Sequence, residues 1–474
     1  MKTYQRCILI LADGSRPDVF EELCDAGQLP NCEALFKNGG RFAPAVSVFP
    51  STTGPAYIPY LTGCYPGTCN VPGIRWFDKK VYGENRFLSK KYRSYVGLEI
   101  MWMNHDLQLK TPTLFEIFDS TFSVFSPIDK GSKKGSNKTK HSRTWYCYYS
   151  HLTDHWAFMD QHSEKKLLKA LDDDFEFGFV VYTGIDEYSH LSYPRHEKAL
   201  NAYQAIDRTL GKVTEKLKKK GWLDDTLIMI VSDHGLSQTH QHFGVASFLE
   251  SQKIKTFYYP KIFKYNFEAA SMVSGNAMLH LYFRDSDLSK NKGWVGRTSY
   301  DQLEAERGPL LEALLEHPAV DLLAGENQDG TVVVRSKKGK SILQKKGDQI
   351  LYNNIEGDAL GLNLPSVMTD RESLHLTGYS EYPDAPAQLL QIFKASRTGD
   401  CVLSAASGWD LRKRFEHPEH HSSHGALLKE HMHIPFYANV PISSEIVRSC
   451  DVYPTILKLM GREIPEGIDG VALV

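Results

Sequence analysis

The sequence predicts an α/β fold: a mostly parallel central sheet flanked by helices, with a smaller α+β insertion. Three observations carry this reading. Short apolar runs, continuous instead of alternating, each end in a polar cluster. Such runs suit strands buried on both faces of a parallel sheet. An amphipathic segment joins two of them in the order strand, helix, strand. Residues 251–399 break the pattern and read as a separate insertion.

In chain order, the first strand is Ile8 to Ala12, ending at Asp13-Gly14. In Phe49-Pro50-Ser51-Thr52-Thr53-Gly54-Pro55, Pro55 suits the first turn of a helix and Gly63 its end. One short helix is expected over 54–62, with Thr53 at its N-terminus. Residues 129–143 (DKGSKKGSNKTKHSR) are basic and poor in apolar side chains, which predicts a mobile surface loop. A specific anion-binding loop is the alternative. The second strand, Phe177 to Tyr182, ends at Gly184-Ile185-Asp186. Leu200, Tyr203, Ile206, Leu210, Val213 and Leu217 then recur at helical spacing. The third strand, Leu227 to Val231, ends at Ser232-Asp233-His234-Gly235. In the insertion, Thr331 to Val334 and Ile350 to Tyr352 look like strands around the turn-rich Lys337 to Gly347. Core character returns at His433 to Val440. A helix is expected from Asp451, as N-cap, through Tyr453 to Met460. The expected organisation is a core of 1–250 and 400–474, interrupted by 251–399.

Composition bounds the function. Of 474 residues, 42% are hydrophobic and 24% charged, as in a globular chain with a large core. The net charge of -2 argues against general nucleic-acid binding, which needs a broad basic surface. No segment reaches the roughly 18 consecutive apolar residues of a membrane span. The opening MKTYQRCILILADGSRPD lacks the long apolar stretch and small-residue cleavage site of a signal peptide, so a cytoplasmic location is expected. The eight cysteines form no CxxC pair, which favours reduced thiols.

The polar clusters fall where strands end, and ligands bind there in open α/β sheets. Taken singly they are weak. Asp13-Gly14 is also an ordinary turn signal. Asp186 and His190, four apart, fit a helix face or a loop. His424 lies in a stretch that also carries His417, His420, His421, His431 and His433. Together, Asp13, Asp186, Asp233, His190, His234 and His424 form a mixed oxygen and nitrogen set that suits two Zn²⁺ or similar divalent ions. Three carboxylates against two dications leave +1, and a bound alkoxide brings the site to about zero. Two ions about 4 Å apart clamp the attacking and leaving oxygens of an in-line displacement. Thr53, at a helix N-terminus, is the candidate nucleophile. Its bland alternative is a helix cap.

These residues resemble the alkaline phosphatase superfamily, in its type I phosphodiesterase/nucleotide pyrophosphatase branch. The resemblance rests on the strand ending at Asp13-Gly14, on FPSTTGPAYIPYLTG (49–63), GIDEYSH (184–190), DDTLIMIVSDHG (224–235), SSHG (422–425) and DVYPTILKLMG (451–461). It implies an alkaline-phosphatase-like core and a phosphothreonine on Thr53. It also implies one metal held by Asp13, Thr53, Asp233 and His234, and another by Asp186, His190 and His424. Residues 251–399 match only loosely. One position departs: the branch usually carries Asn three residues after the nucleophile, where this chain has Ala56. Lys130 is the candidate replacement cation for phosphate, as in a phosphomonoesterase. The expected substrate is a small phosphoester such as a nucleotide or phospholipid head group. Phosphomonoester hydrolysis, phosphoryl or head-group transfer, sulfate or phosphonate ester hydrolysis and non-catalytic binding are the alternatives. The oligomeric state is not legible.

Overall fold

The computed structural model describes residues 2–84, 91–262, 266–413 and 418–474, so His417 lies outside it. The central sheet has six strands: β1 (Arg6–Ala12), β2 (Gly40–Val46), β3 (Thr121–Val124), β4 (Phe177–Tyr182), β5 (Thr226–Val231) and β6 (His433–Ala438). Their order is β2–β6–β5–β1–β4–β3. The pairs β3–β4, β4–β1 and β1–β5 are parallel, while β6 and β2 extend the edge antiparallel, so the sheet is mixed. Every residue of β4 and β5 is buried, as is all of β1 after Arg6. Burial on both faces explains why these runs are continuous in the sequence.

Six helices matter for the site: α1 (Ile58–Thr62), α2 (Arg143–Thr153), α3 (Trp156–Ala170), α4 (Gly184–His190), α5 (Glu197–Lys219) and α6 (Val452–Leu459). The path β4–α4–α5–β5 is the expected crossover. Tyr203, Ile206, Leu210, Val213 and Leu217 on α5 are buried, with Leu200 partly so. The segment expected as one helix over 54–62 is a 3-10 turn, Pro55–Tyr57, continued by α1 and closed by Gly63 at φ +69°.

A second sheet of nine strands fills the region from Thr256 to Thr369 and takes Cys401–Ala405 into its middle, between Met278–Phe283 and Val320–Glu326. The turn-rich 337–347 holds a strand of its own, Gly339–Lys346, in which only Ser341 and Leu343 are buried. Its polar exposed positions hid it. The basic segment 129–143 is tied to the sheet edge. Ser123 exchanges backbone hydrogen bonds with Ser136 and Lys138, and Asn137 donates to Asp129. α6 begins after Asp451, but that carboxylate does not cap it; it accepts from the Arg448 and Val471 N–H groups and from Arg371.

Candidate active site

β1 and β5 lie side by side, and both end at the same edge of the sheet. Their parallel register brings Asp13 and Asp233 together. The Gly14 N–H donates to Asp233 Oδ1 at 3.2 Å. The Asp13 carbonyl accepts from the Asp186 N–H at 3.1 Å, which fixes the first turn of α4 against the end of β1. This close approach needs glycine: a Cβ on Gly14, at φ +69°, would lie 2.7 Å from Asp186 Cβ.

Thr53 Oγ1 stands 3.1 Å from His234 Nε2 and 3.4 Å from Asp13 Oδ1. His234 Nε2 is also 3.5 Å from Asp13 Oδ1 and 3.3 Å from Asp233 Oδ2. His424 stacks on His234 with ring centroids 3.6 Å apart. His190 Nε2 reaches Asp186 Oδ1 at 3.4 Å, and its ring centroid is 5.1 Å from that of His424, although the two are far apart in sequence. Two trios bring their ligand atoms within 4.8 Å: Asp13, Asp233 and His234, and Asp186, His234 and His424. His234 thus belongs to both, and His190 joins the second through Asp186. Lys130 does not bond to these residues: its Nζ donates to the Leu107 carbonyl at 3.3 Å, and none of its hydrogen bonds among the described residues reaches the cluster.

The histidines are in the tautomer that a metal ligand would need. Nδ1 of His190, His234 and His424 faces the carbonyl of Ser422, Gly235 and Ser51 respectively. A carbonyl only accepts, so each Nδ1 carries the proton and each Nε2 presents a lone pair. Burial holds all three imidazoles neutral, His190 down to about 4. The carboxylates pull the other way. Burial raises Asp13 to about 6 and pushes Asp186 and Asp233 well above the ordinary range, with Asp13's charge adding to both. Asp186 Oδ1 and Asp233 Oδ2 are buried without a hydrogen-bond partner. Three crowded carboxylates, two unsatisfied oxygens and neutral imidazoles call for positive charge from outside the chain. Oxygen and nitrogen donors in this mixture fit Zn²⁺-like ions.

Sequence reasoning missed the groups that hold this arrangement. Tyr57 donates to Asp13 Oδ2 at 2.5 Å. It follows Thr53 by four residues, and that spacing was the only available signal. Asp160 on α3 accepts from the Thr183 and Gly184 N–H groups at the start of α4, and no sequence signal marked it. Ala56, at the departing position, is fully buried in an apolar cluster with Val48, Tyr65 and Cys450.

The model of the family described as type I phosphodiesterase / nucleotide pyrophosphatase matches residues 7–427. The chain belongs to this family. Members are metal-dependent hydrolases of phosphate esters, and every candidate ligand position above lies within the match. Among curated proteins, the bis(5'-adenosyl)-triphosphatase enpp4 of Xenopus laevis is 21% identical over 251 residues, 49% of this chain. That match spans 47% of the relative's length. Two solved structures show the same fold. Murine ectonucleotide pyrophosphatase / phosphodiesterase 5 superposes at TM-score 0.59 with 13% identity, covering 98% of both chains. Phosphonoacetate hydrolase from Sinorhizobium meliloti 1021 gives 0.58 with 16% identity, covering 96% of both.

Proposed function

We propose that this chain hydrolyses small phosphate diesters or pyrophosphates with Thr53 as nucleophile. One divalent ion is assigned to Asp13, Thr53, Asp233 and His234, and a second to Asp186, His190 and His424. The observation that carries the reading is the place of Thr53 Oγ1, within 3.4 Å of both His234 Nε2 and Asp13 Oδ1 beside the unsatisfied carboxylates. Zn²⁺ or a similar ion bound there supplies Lewis acidity that lowers the hydroxyl pKa and offsets phosphoryl charge. Thr53 Oγ1 gives up its proton, which ends on the leaving oxygen by way of solvent, and attacks phosphorus; the Oγ1–P bond forms as the P–O bond to the leaving group breaks. Water then attacks phosphorus from the opposite side, breaks the Oγ1–P bond and restores the hydroxyl. Thr52 is the poorer nucleophile, since its hydroxyl is fully buried.

A monoester dianion presents one more unsubstituted oxygen and needs a further cation or donor. Ala56 has none to give, and Lys130 is turned to Leu107. The position of Lys130 favours the diester reading, while Ala56 lacks the donor that the diesterase branch itself usually carries and favours neither. Nucleotides are the first class to try, because an inactive variant of murine ectonucleotide pyrophosphatase / phosphodiesterase 5 was solved in complex with AMP. Phospholipid head groups come next. The test is turnover of bis-p-nitrophenyl phosphate, p-nitrophenyl phosphate and a dinucleoside polyphosphate by wild type, Thr53→Ala, Thr52→Ala and Lys130→Ala. Thr53→Ala should lose about three orders of magnitude or more while keeping both metals. Loss in Thr52→Ala with retention in Thr53→Ala overturns the assignment. A Lys130→Ala loss confined to the monoester overturns the diester preference.

A further inference from the structure

Helix α2 carries its large apolar side chains on the wrong side for a core helix. Trp145, Tyr148, Tyr149 and Leu152 recur at i, i+3, i+4 and i+7, the spacing of one helical face. All four are exposed, Trp145 at 56% and Leu152 at 79%. Ser150 is the only buried residue of the helix. Trp145 stacks on Tyr149 with centroids 5.2 Å apart, so the stripe is ordered on itself. A second apolar rim lies against it: the 3-10 segment Gly97–Trp102 has no buried residue, and Met101 and Trp102 are exposed. The two rims touch, since a Cβ on Gly97 would lie 3.2 Å from the Tyr148 hydroxyl.

This patch borders the catalytic cleft. Met103, which follows the rim, lies over Gly54, the residue after Thr53; a Cβ there would sit 3.3 Å from its methyl group. Arg143, the first residue of α2, is close enough for its charge to act on Tyr57. The basic segment leads directly into α2. Over residues 129–143 it carries Lys130, Lys133, Lys134, Lys138, Lys140 and Arg143 against a single carboxylate, Asp129. Lys134 and Lys140 are exposed.

We propose that the outward stripe of α2, with the Met101–Trp102 rim and the Lys134–Lys140 run, is a docking surface for an anionic lipid bilayer. The inference goes beyond the hydrolytic reading and does not depend on it. Exposed Trp, Tyr and Leu on one helical face, with exposed lysines in the segment that leads into it, match the composition of interfacial helices, with aromatic rings at head-group level and lysines on anionic lipid. Charge also argues against a second copy as the occupant. A twofold contact sets the same surface against itself and would bring the two basic runs together.

The test is co-sedimentation of the full chain with large vesicles of phosphatidylcholine alone and of phosphatidylcholine mixed with phosphatidylglycerol. Wild type should bind the mixed vesicles, more weakly at high salt. Leu152→Glu should weaken binding by about tenfold or more, as should Lys134→Glu combined with Lys140→Glu. The sites are exposed, so circular dichroism and Tm should stay at wild-type values, which separates lost docking from lost folding. Equal recovery of wild type with and without phosphatidylglycerol overturns the proposal, as does unchanged binding by Leu152→Glu. A concentration-dependent dimer in sedimentation velocity that Leu152→Glu dissolves assigns the face to a second copy and overturns it too.

Discussion

The Tyr57 hydroxyl donates to Asp13 Oδ2 at 2.5 Å, and both groups are almost completely buried. The bond fixes the carboxylate that faces Thr53 with its other oxygen. It also lowers the Asp13 pKa against the larger upward push of burial. Partners of this kind orient metal ligands, and their loss typically costs 10–100-fold in metal affinity or activity. Tyr57→Phe keeps the ring, which packs edge-on to Phe179, and removes only the donor. It is expected to fold, to lower kcat/KM by roughly tenfold or more and to release metal at lower chelator concentration. Wild-type metal retention in Tyr57→Phe would show that the bond has no such part.

The three candidate carboxylates were legible because each lies just after a strand announced by a continuous apolar run. β1, β4 and β5 lie within one or two residues of their expected bounds. Asp13, Asp186 and Asp233 follow from them. Tyr57 and Asp160 were not legible, because each acts through a partner distant in sequence and has an ordinary local pattern. The strand Gly339–Lys346 was hidden for another reason. It is amphipathic with lysines on its exposed positions, and polar side chains next to glycines read as turns. The exposed face of α2 has the spacing of a core helix, and spacing alone does not say which side faces water.

Gly14 is expected to tolerate no side chain. Gly14→Ala must hold φ +69° and seat a methyl group 2.7 Å from both Asp186 Cβ and Leu236 Cδ1. The strained backbone costs on the order of 1 kcal/mol, and the forced shift adds to it. The variant should melt several degrees below wild type and lose the second metal first, because α4 moves with Asp186. Differential scanning calorimetry with metal analysis checks both. Normal metal content at a reduced Tm would confine the effect to stability.

His280 gives a pH signature away from the metal ligands. It is fully buried; Nε2 donates to the Pro72 carbonyl at 3.1 Å and Nδ1 accepts from the Gly399 N–H at 3.4 Å. Burial lowers its pKa from the ordinary 6.5 to about 3. A depressed folded-state pKa contributes stability that is present above 6.5 and lost as pH falls toward about 3. Tm of the metal-free protein should therefore decline across that window. His280→Gln should start lower at neutral pH and decline less steeply. Parallel Tm curves for the two proteins would show that His280 takes up its proton at the same pH in the folded and the unfolded chain.

Asp160 is expected to act on the second metal without touching it. Its carboxylate accepts from the Thr183 N–H at 2.9 Å and the Gly184 N–H at 3.1 Å, the first two amides of the turn that carries Asp186 and His190. Those amides have no partner within the helix, so Asp160 supplies an N-cap from α3 instead of from the adjacent chain. A Cβ on Gly184 would come 2.3 Å from Asp160 Oδ2, so the two positions are fitted to each other. Removing the carboxylate leaves two N–H groups beside a buried helix start, at a cost of about 1–3 kcal/mol. Asp160→Ala should therefore lower Tm, weaken the second metal more than the first and reduce kcat. Asp160→Asn keeps an acceptor at the same place and should restore most of the metal affinity. A purely structural role would lower Tm in Asp160→Ala and leave the metal dissociation constants of the folded enzyme unchanged. Stepwise metal titration by calorimetry, with Asp160→Asn alongside, separates the two.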